Sequence, residues 1–201
     1  KFIYSILAVF ILSTSAFAQY PKTLNNTVTK SKEQHPANAP REKCYQIGDE
    51  LGGGIIFYLD ESGCHGLIST KTDQHTNIYW GPYSDTKAYA TCVGCGFGNT
   101  KNIVVSQGKG NYAASVCFNL QLGEWPIVWY LPSTYELHLM YMNIGPGAAA
   151  PNTNKGNFAN DNYWASSENH NQNAWNYNFG NGYYSVGGKQ ELFRVRAIRS
   201  F

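Results

Sequence analysis

The chain has 201 residues, enough for one domain with a real apolar core, or one domain and a tail. Aromatic residues make up 15% and charged residues 14%, where ordinary domains are about a quarter charged, so the composition suggests a β-rich extracellular module. The formal charge is +2, but Lys1 and the segment 19–43, with five basic and two acidic residues, carry the excess. From Cys44 onward nine basic residues face eleven acidic ones, which removes any charge-based case for nucleic acid.

The first stretch, "KFIYSILAVFILSTSAFAQ", has a basic Lys1, an apolar run from Phe2 to Leu12 and an Ala16-Phe17-Ala18 site of the A-x-A kind. It reads as a secretory signal peptide over 1–18. The run is shorter than the roughly 20 apolar residues that span a bilayer, and no Cys follows the site to carry a lipid anchor. Residues 19–43 are polar, contain Pro and lack a period, so they read as a flexible tether. An exported protein without stable membrane insertion is expected, whether secreted, at the cell surface or periplasmic.

The domain then begins at Cys44. Ile55 to Leu59 reads as a buried strand, Asp60 to Gly63 as a turn and Gly66 to Ser69 as the returning strand. The Gly52-Gly53-Gly54 run lacks the strand-to-helix context of a phosphate loop. Tyr79 to Ala90 is loop-like, anchored by Trp80. Asn111 to Leu122 reads as a helix with Ala113, Val116, Cys117 and Leu120 on one face. "LPSTYELHLMYMNI" is the clearest helix: Ser133 and Glu136 form a capping box, and Leu137, Met140, Tyr141 and Ile144 form the apolar face. That box accounts for Glu136 without catalysis, and "GPGAAAPNTNKGN" reads as a long loop.

Trp175, Tyr177 and Phe179 alternate with Asn176 and Asn178, the period of a strand. Asn181-Gly182 is a two-residue hairpin signal that sets Phe179 opposite Tyr184 and Tyr177 opposite Val186. One face of this ribbon is then apolar, and the other carries Asn176, Asn178, Tyr183 and Ser185. In the last strand, "LFRVRAIRS", Phe193, Val195 and Ala197 share one face and Arg194 and Arg196 the other. The arginines are read either as ligand contacts or as partners of local carboxylates such as Glu191.

Five cysteines remain, Cys44, Cys64, Cys92, Cys95 and Cys117. Export permits disulfides, with one thiol left over. Cys92-x-x-Cys95 also fits zinc or redox chemistry, but no second ligand pair is evident for zinc. The connectivity stays open.

The runs "GGGIIFYLDESGCHGL", "DQHTNIYW", "WYLPSTYELHLMY", "YWASSENHNQNAWNYNFGNGYYS" and "RVRAIRSF" cover nearly all of 44–201. In this combination the chain resembles the DUF1566 family of Lcl C-terminal-like domains, found in a collagen-like bacterial adhesin. The resemblance implies an α+β, C-type-lectin-like fold in which the terminal strands pair, with short antiparallel strands, about two helices and long loops. It also implies a surface module, a homotrimer, and sulfated glycosaminoglycans as ligands. The chain departs from the adhesin in lacking a Gly-X-Y stalk and in its slightly acidic domain. "ENHN" at 168–171 only loosely resembles a lectin calcium motif, without the carboxylate cluster that Ca²⁺ prefers.

These readings lead to an exported, non-catalytic, adhesin-like module that binds glycans, sulfated ones included. Sugar C–H faces pack on Trp and Tyr, and sugar hydroxyls need the donors and acceptors that side-chain amides supply. Asn176, Asn178 and Tyr183 are the expected polar contacts, and Lys189, Arg194 and Arg196 the anion contacts. Glu168, Asn169 and Asn171 lie just before the hairpin and are further candidates. No catalytic residue, metal ligand or cofactor is expected. The alternatives are a protein-interaction or assembly module with no sugar ligand, and a cysteine-dependent enzyme of the formylglycine-generating type, for which no general base is legible.

Overall fold

The computed structural model describes residues 44–123 and 128–201. The expected signal peptide and tether lie outside the described residues. The architecture is mixed α and β. A four-stranded antiparallel sheet takes β1 (Glu50–Leu51), β2 (Gly54–Leu59), β3 (Gly66–Thr70) and β9 (Ile198–Ser200) in that order. A five-stranded sheet has the order β4 (His75–Tyr79), β8 (Leu192–Val195), β5 (Asn162–His170), β6 (Asn173–Asn178) and β7 (Tyr183–Gly188). Its strands pair antiparallel except β5 and β8, which meet in parallel at Tyr163 and Arg194.

The β2–β3 hairpin forms where the apolar runs place it, with Ile56 opposite Ile68 and a turn from Asp60. Its capping is local: Asp60 Oδ1 accepts from the Ser62 and Gly63 amides. The C-terminal strand closes on β3 through Gly66 and Phe201, and the Phe201 ring meets Tyr45 edge to face.

Among the described residues three helices are present, one more than expected: α1 (Cys95–Gln107), α2 (Ala113–Phe118) and α3 (Thr134–Ile144). α3 has the anticipated box, with the Glu136 amide donating to Ser133 Oγ and the Ser133 amide donating to the Glu136 carboxylate at 2.6 Å. Its Leu137, Met140 and Ile144 are buried. α2 is shorter than Asn111–Leu122 because the chain leaves the helix at Asn119. α1 was not legible. It holds two glycines and several β-branched residues, all weak helix formers, and has no side-chain N-cap. Tertiary contacts hold it instead: Ile103 is sealed in the core, Asn99 donates to the Ala90 carbonyl, and Thr100 exchanges bonds with the Leu131 backbone. A Cβ at Gly96 would collide with the Glu136 carboxylate and the Leu131 carbonyl, so glycine is needed there.

Successive residues of β5 point into different core clusters. Trp164 joins Ile78, Ala174 and Val195 of the sheet with Ile103, Ala113 and Cys117 of α1 and α2. Tyr163 and Ala165 join Tyr177, Phe179 and the α3 residues. The five-stranded sheet is therefore packed on both faces at β5 and β6, while β7 is exposed from Tyr183 to Val186. This changes the reading of the ribbon. Its loop has four residues, Phe179 to Gly182, so Tyr177 faces Tyr184 and Asn178 faces Tyr183. Asn178 Oδ1 takes the Gly180 and Asn181 amides, which widens the turn beyond two residues. The two-residue shift keeps every side chain on its expected face.

Cys44–Cys64 and Cys92–Cys95 are disulfides, and Cys117 is a buried free thiol. Disulfides fit an oxidising, extracytoplasmic setting. Among the described residues no helix is long and apolar enough to cross a membrane.

The ring of Trp164 is fully buried and its indole N–H donates to the Ile78 carbonyl at 2.9 Å. Trp164→Ala is expected to cost about 3–5 kcal/mol in denaturant unfolding; a loss below about 1 kcal/mol would show that the sheet is not sealed on that side.

Candidate functional site

The ribbon's expected polar face is closed along β6 and open along β7, where Tyr183 and Ser185 are exposed. Asn176 shares its face with Ala174, beneath the Trp164 cluster, and is buried with its Oδ1 unpartnered. Asn178 is half-buried and committed to the turn and to Asn162 Oδ1 at 2.8 Å. Tyr183 is 71% exposed. Asn169 and Asn171 are also exposed, but at the opposite end of the hairpin, so these three do not converge.

The charged candidates are corrected more sharply. Lys189 is buried and paired with Glu168, also buried; its ammonium donates to the Ser84 carbonyl and lies 4.4 Å from the Trp80 ring. Glu168 Oε2 takes the Thr86 amide and hydroxyl at 2.9 and 2.8 Å. Loss of water around Lys189 pulls its pKa down, and the bond to Glu168 opposes that shift. Arg196 is buried over the Phe158 ring, bound to Asp73 and to the Thr70 and Gly156 carbonyls. Arg194 is partly exposed and spans Asp161 and Asp73 at 2.9 and 3.0 Å. The partners are thus Asp73, Asp161 and Glu168, while Glu191 instead caps the Gly188 amide. A buried cation needs a counter-charge in place: Lys189 has Glu168 and Arg196 has Asp73, and Asp73 also serves the partly exposed Arg194.

The ribbon's apolar face, by contrast, is covered only at its turn end. Tyr177 and Phe179 are buried, but Trp175 is half-buried rather than in the core, and Tyr184 is 43% exposed. With Tyr135 of α3, 46% exposed, they line a cleft of about 290 Å³ completed by Thr91, Cys92 and Thr134. α3 packs beside β6, which brings Tyr135 to the ribbon. The strap 91–95 is fixed to the start of α3: the Tyr135 amide donates to the Thr91 carbonyl, Ser133 Oγ to the Cys92 carbonyl at 2.8 Å, and the Gly94 amide to Glu136 at 2.8 Å. Burial pushes the Glu136 carboxyl up, against the pull of these donors.

His138 completes the aromatic wall. Its ring stacks on Tyr135 at 5.7 Å and lies 5.8 Å from Tyr184. Its Nδ1 is 3.0 Å from the Tyr177 hydroxyl, whose single proton goes to the Gly182 carbonyl. Nδ1 must therefore donate, which in the neutral ring leaves Nε2 an acceptor. Thr134 is only 7% exposed and its hydroxyl has no partner. Larger depressions exist, about 570 Å³ beside Arg199 and about 400 Å³ beside Arg194 and Arg196. The first borders Val128, next to residues outside the described set, and the second is lined by the ion pairs above. Among the described residues no group of three His, Cys, Asp or Glu could hold a metal ion.

Tyr135, Tyr184, Thr91, Cys92 and Thr134 were not anticipated. The available signal was the ring content of the face assigned to the core. No protein-family model matches the chain, and no curated protein does.

Lys189→Met alone strands the Glu168 carboxylate and is expected to cost about 3–5 kcal/mol by chemical denaturation, whereas Lys189→Met with Glu168→Gln is expected to recover most of it. A single change that costs under about 1 kcal/mol would mean that the pair is open to water.

Proposed function

We propose that the chain is a non-catalytic, exported glycan-binding module of the adhesin type, and that the cleft between α3 and the β6–β7 ribbon holds the sugar. The rings of Tyr135, Trp175 and Tyr184 carry the reading: they present π faces to sugar C–H groups, beside the Thr91 and tyrosine hydroxyls for the sugar oxygens. A C-type-lectin-like arrangement of the DUF1566 kind is supported by the long irregular segment 145–161, although the last strand, β9, pairs with β3 and not with the first strand, β1, as the resemblance implied. The site is reassigned from Asn176, Lys189, Arg196 and Glu168, which are enclosed, to the aromatic cleft. With Arg194, Arg196 and Lys189 neutralised, a neutral sugar fits better than a sulfated polymer.

Glycan-array binding at two salt concentrations tests this. Hits among neutral oligosaccharides are expected to keep their affinity as salt rises. Trp175→Ala is expected to weaken them about tenfold, the worth of one stacked ring, with the thermal midpoint changed by only a few degrees. Binding that falls steeply with salt, or survives Trp175→Ala and Tyr184→Ala together, would count against the cleft.

A second reading is an assembly or protein-interaction module. β7 is the edge strand of its sheet, and Tyr183 to Val186 are exposed and uncharged. Edges are ordinarily guarded by charge, so this one suits strand addition. Ser185→Lys is expected to abolish a partner bound in that way and to leave sugar binding intact.

A further inference from the structure

We propose that the Cys92–Cys95 disulfide is a thiol–disulfide exchange site, with Cys92 the sulfur attacked by an incoming thiolate and Cys95 the leaving thiolate. The proposal does not rest on the glycan reading.

The five cysteines occupy three environments. Cys117 is sealed in the core, where burial holds its thiol protonated. Cys44–Cys64 spans 20 positions and ties the chain before β1 to the β2–β3 turn, as a structural staple does. Cys92–Cys95 spans only three positions and joins no distant elements, so it constrains the unfolded chain least. Its backbone is already held by Ser133, Tyr135 and Glu136. Opening the bridge therefore leaves the strap in place and the two sulfurs close enough to rejoin.

The surroundings suit exchange. Cys92 is exposed and Cys95 half-buried, which directs attack to Cys92. Cys95 is the first residue of α1, and the Gly94 amide at that helix end already donates to the buried Glu136 carboxylate at 2.8 Å. Cys95 is therefore the leaving sulfur because Cys92 is the more exposed of the two to an incoming thiolate. Cys92 also walls the aromatic cleft. The cleft offers the rest of the thiol compound apolar contact with Trp175 and Tyr184.

The chemistry balances as two exchanges. A thiolate RS⁻ attacks Cys92 Sγ; the new bond is Cys92–S–SR, and the bridging S–S pair leaves on Cys95. A second thiolate attacks R's sulfur, releasing RS–SR and the Cys92 thiolate. Two electrons pass from two thiols to the bridge, and the protons lost by those thiols end on Cys92 and Cys95. The substrate class is an accessible thiol, either a small one or the cysteine of a peptide.

The folded full-length chain is titrated with reduced glutathione, and in parallel with a short peptide carrying Trp next to Cys. Samples are quenched with iodoacetamide and mapped by peptide mass, with circular dichroism followed throughout. Cys92 and Cys95 are expected to label at least about tenfold faster than Cys44 and Cys64, with Cys117 unlabelled and the fold unchanged. Faster reaction of the Trp-Cys peptide would assign peptide substrates, and equal rates small thiols. In a second arm the single variants are incubated with oxidised glutathione: Cys95→Ser is expected to form the mixed disulfide at Cys92, releasing one glutathione thiolate, faster than Cys92→Ser forms it at Cys95. Labelling of Cys44 and Cys64 first, or labelling of Cys92 only as the spectrum is lost, would overturn the proposal. So would equal trapping at the two positions.

Discussion

The centre of the five-stranded sheet, at β5 and β6, is packed on both faces, and that constraint orders the rest of the molecule. A charge enclosed against it cannot reach water, so it must meet a counter-charge in place. Glu168 on β5 meets Lys189 just past β7, and Asp73 before β4 meets Arg194 and Arg196 in and after β8. These pairs join the C-terminal ribbon to segments early in the chain. They also bury Lys189 and Arg196 and neutralise the partly exposed Arg194, the three cations that the sequence presents as ligand contacts.

Local signals were legible and tertiary cover was not. The β2–β3 hairpin and α3 follow from apolar runs, turn residues and a capping box, all settled within a few residues of one another. The faces of the 175–186 ribbon were also legible, because strand period alone assigns them. Period cannot say what covers each face. Asn176 is buried because Trp164 packs its side of the sheet, and Asp73 reaches Arg196 across 123 positions of sequence. α1 escaped notice for the same reason: its residues are poor helix formers, and distant backbone groups hold them.

The surface that remains is aromatic rather than charged. Tyr135 comes from α3, Trp175 and Tyr184 from adjacent strands, and Cys92 from a strap pinned to the helix cap. Glu136 supports this assembly from below, serving the α3 cap and the Gly94 amide at once. One buried carboxyl thus positions both the aromatic wall and the Cys92–Cys95 bridge. The proposed neutral-sugar recognition by the rings and the proposed thiol exchange at the bridge would be separate uses of neighbouring groups.

Amine labelling of the native protein reads the enclosure of the ribbon's cations most directly. Reductive methylation followed by peptide mass mapping is expected to modify the exposed Lys71, Lys87, Lys101, Lys109 and Lys155 and to spare Lys189 until the chain is unfolded. Modification of Lys189 at the rate of the other five, in protein that keeps its fold, would contradict the account.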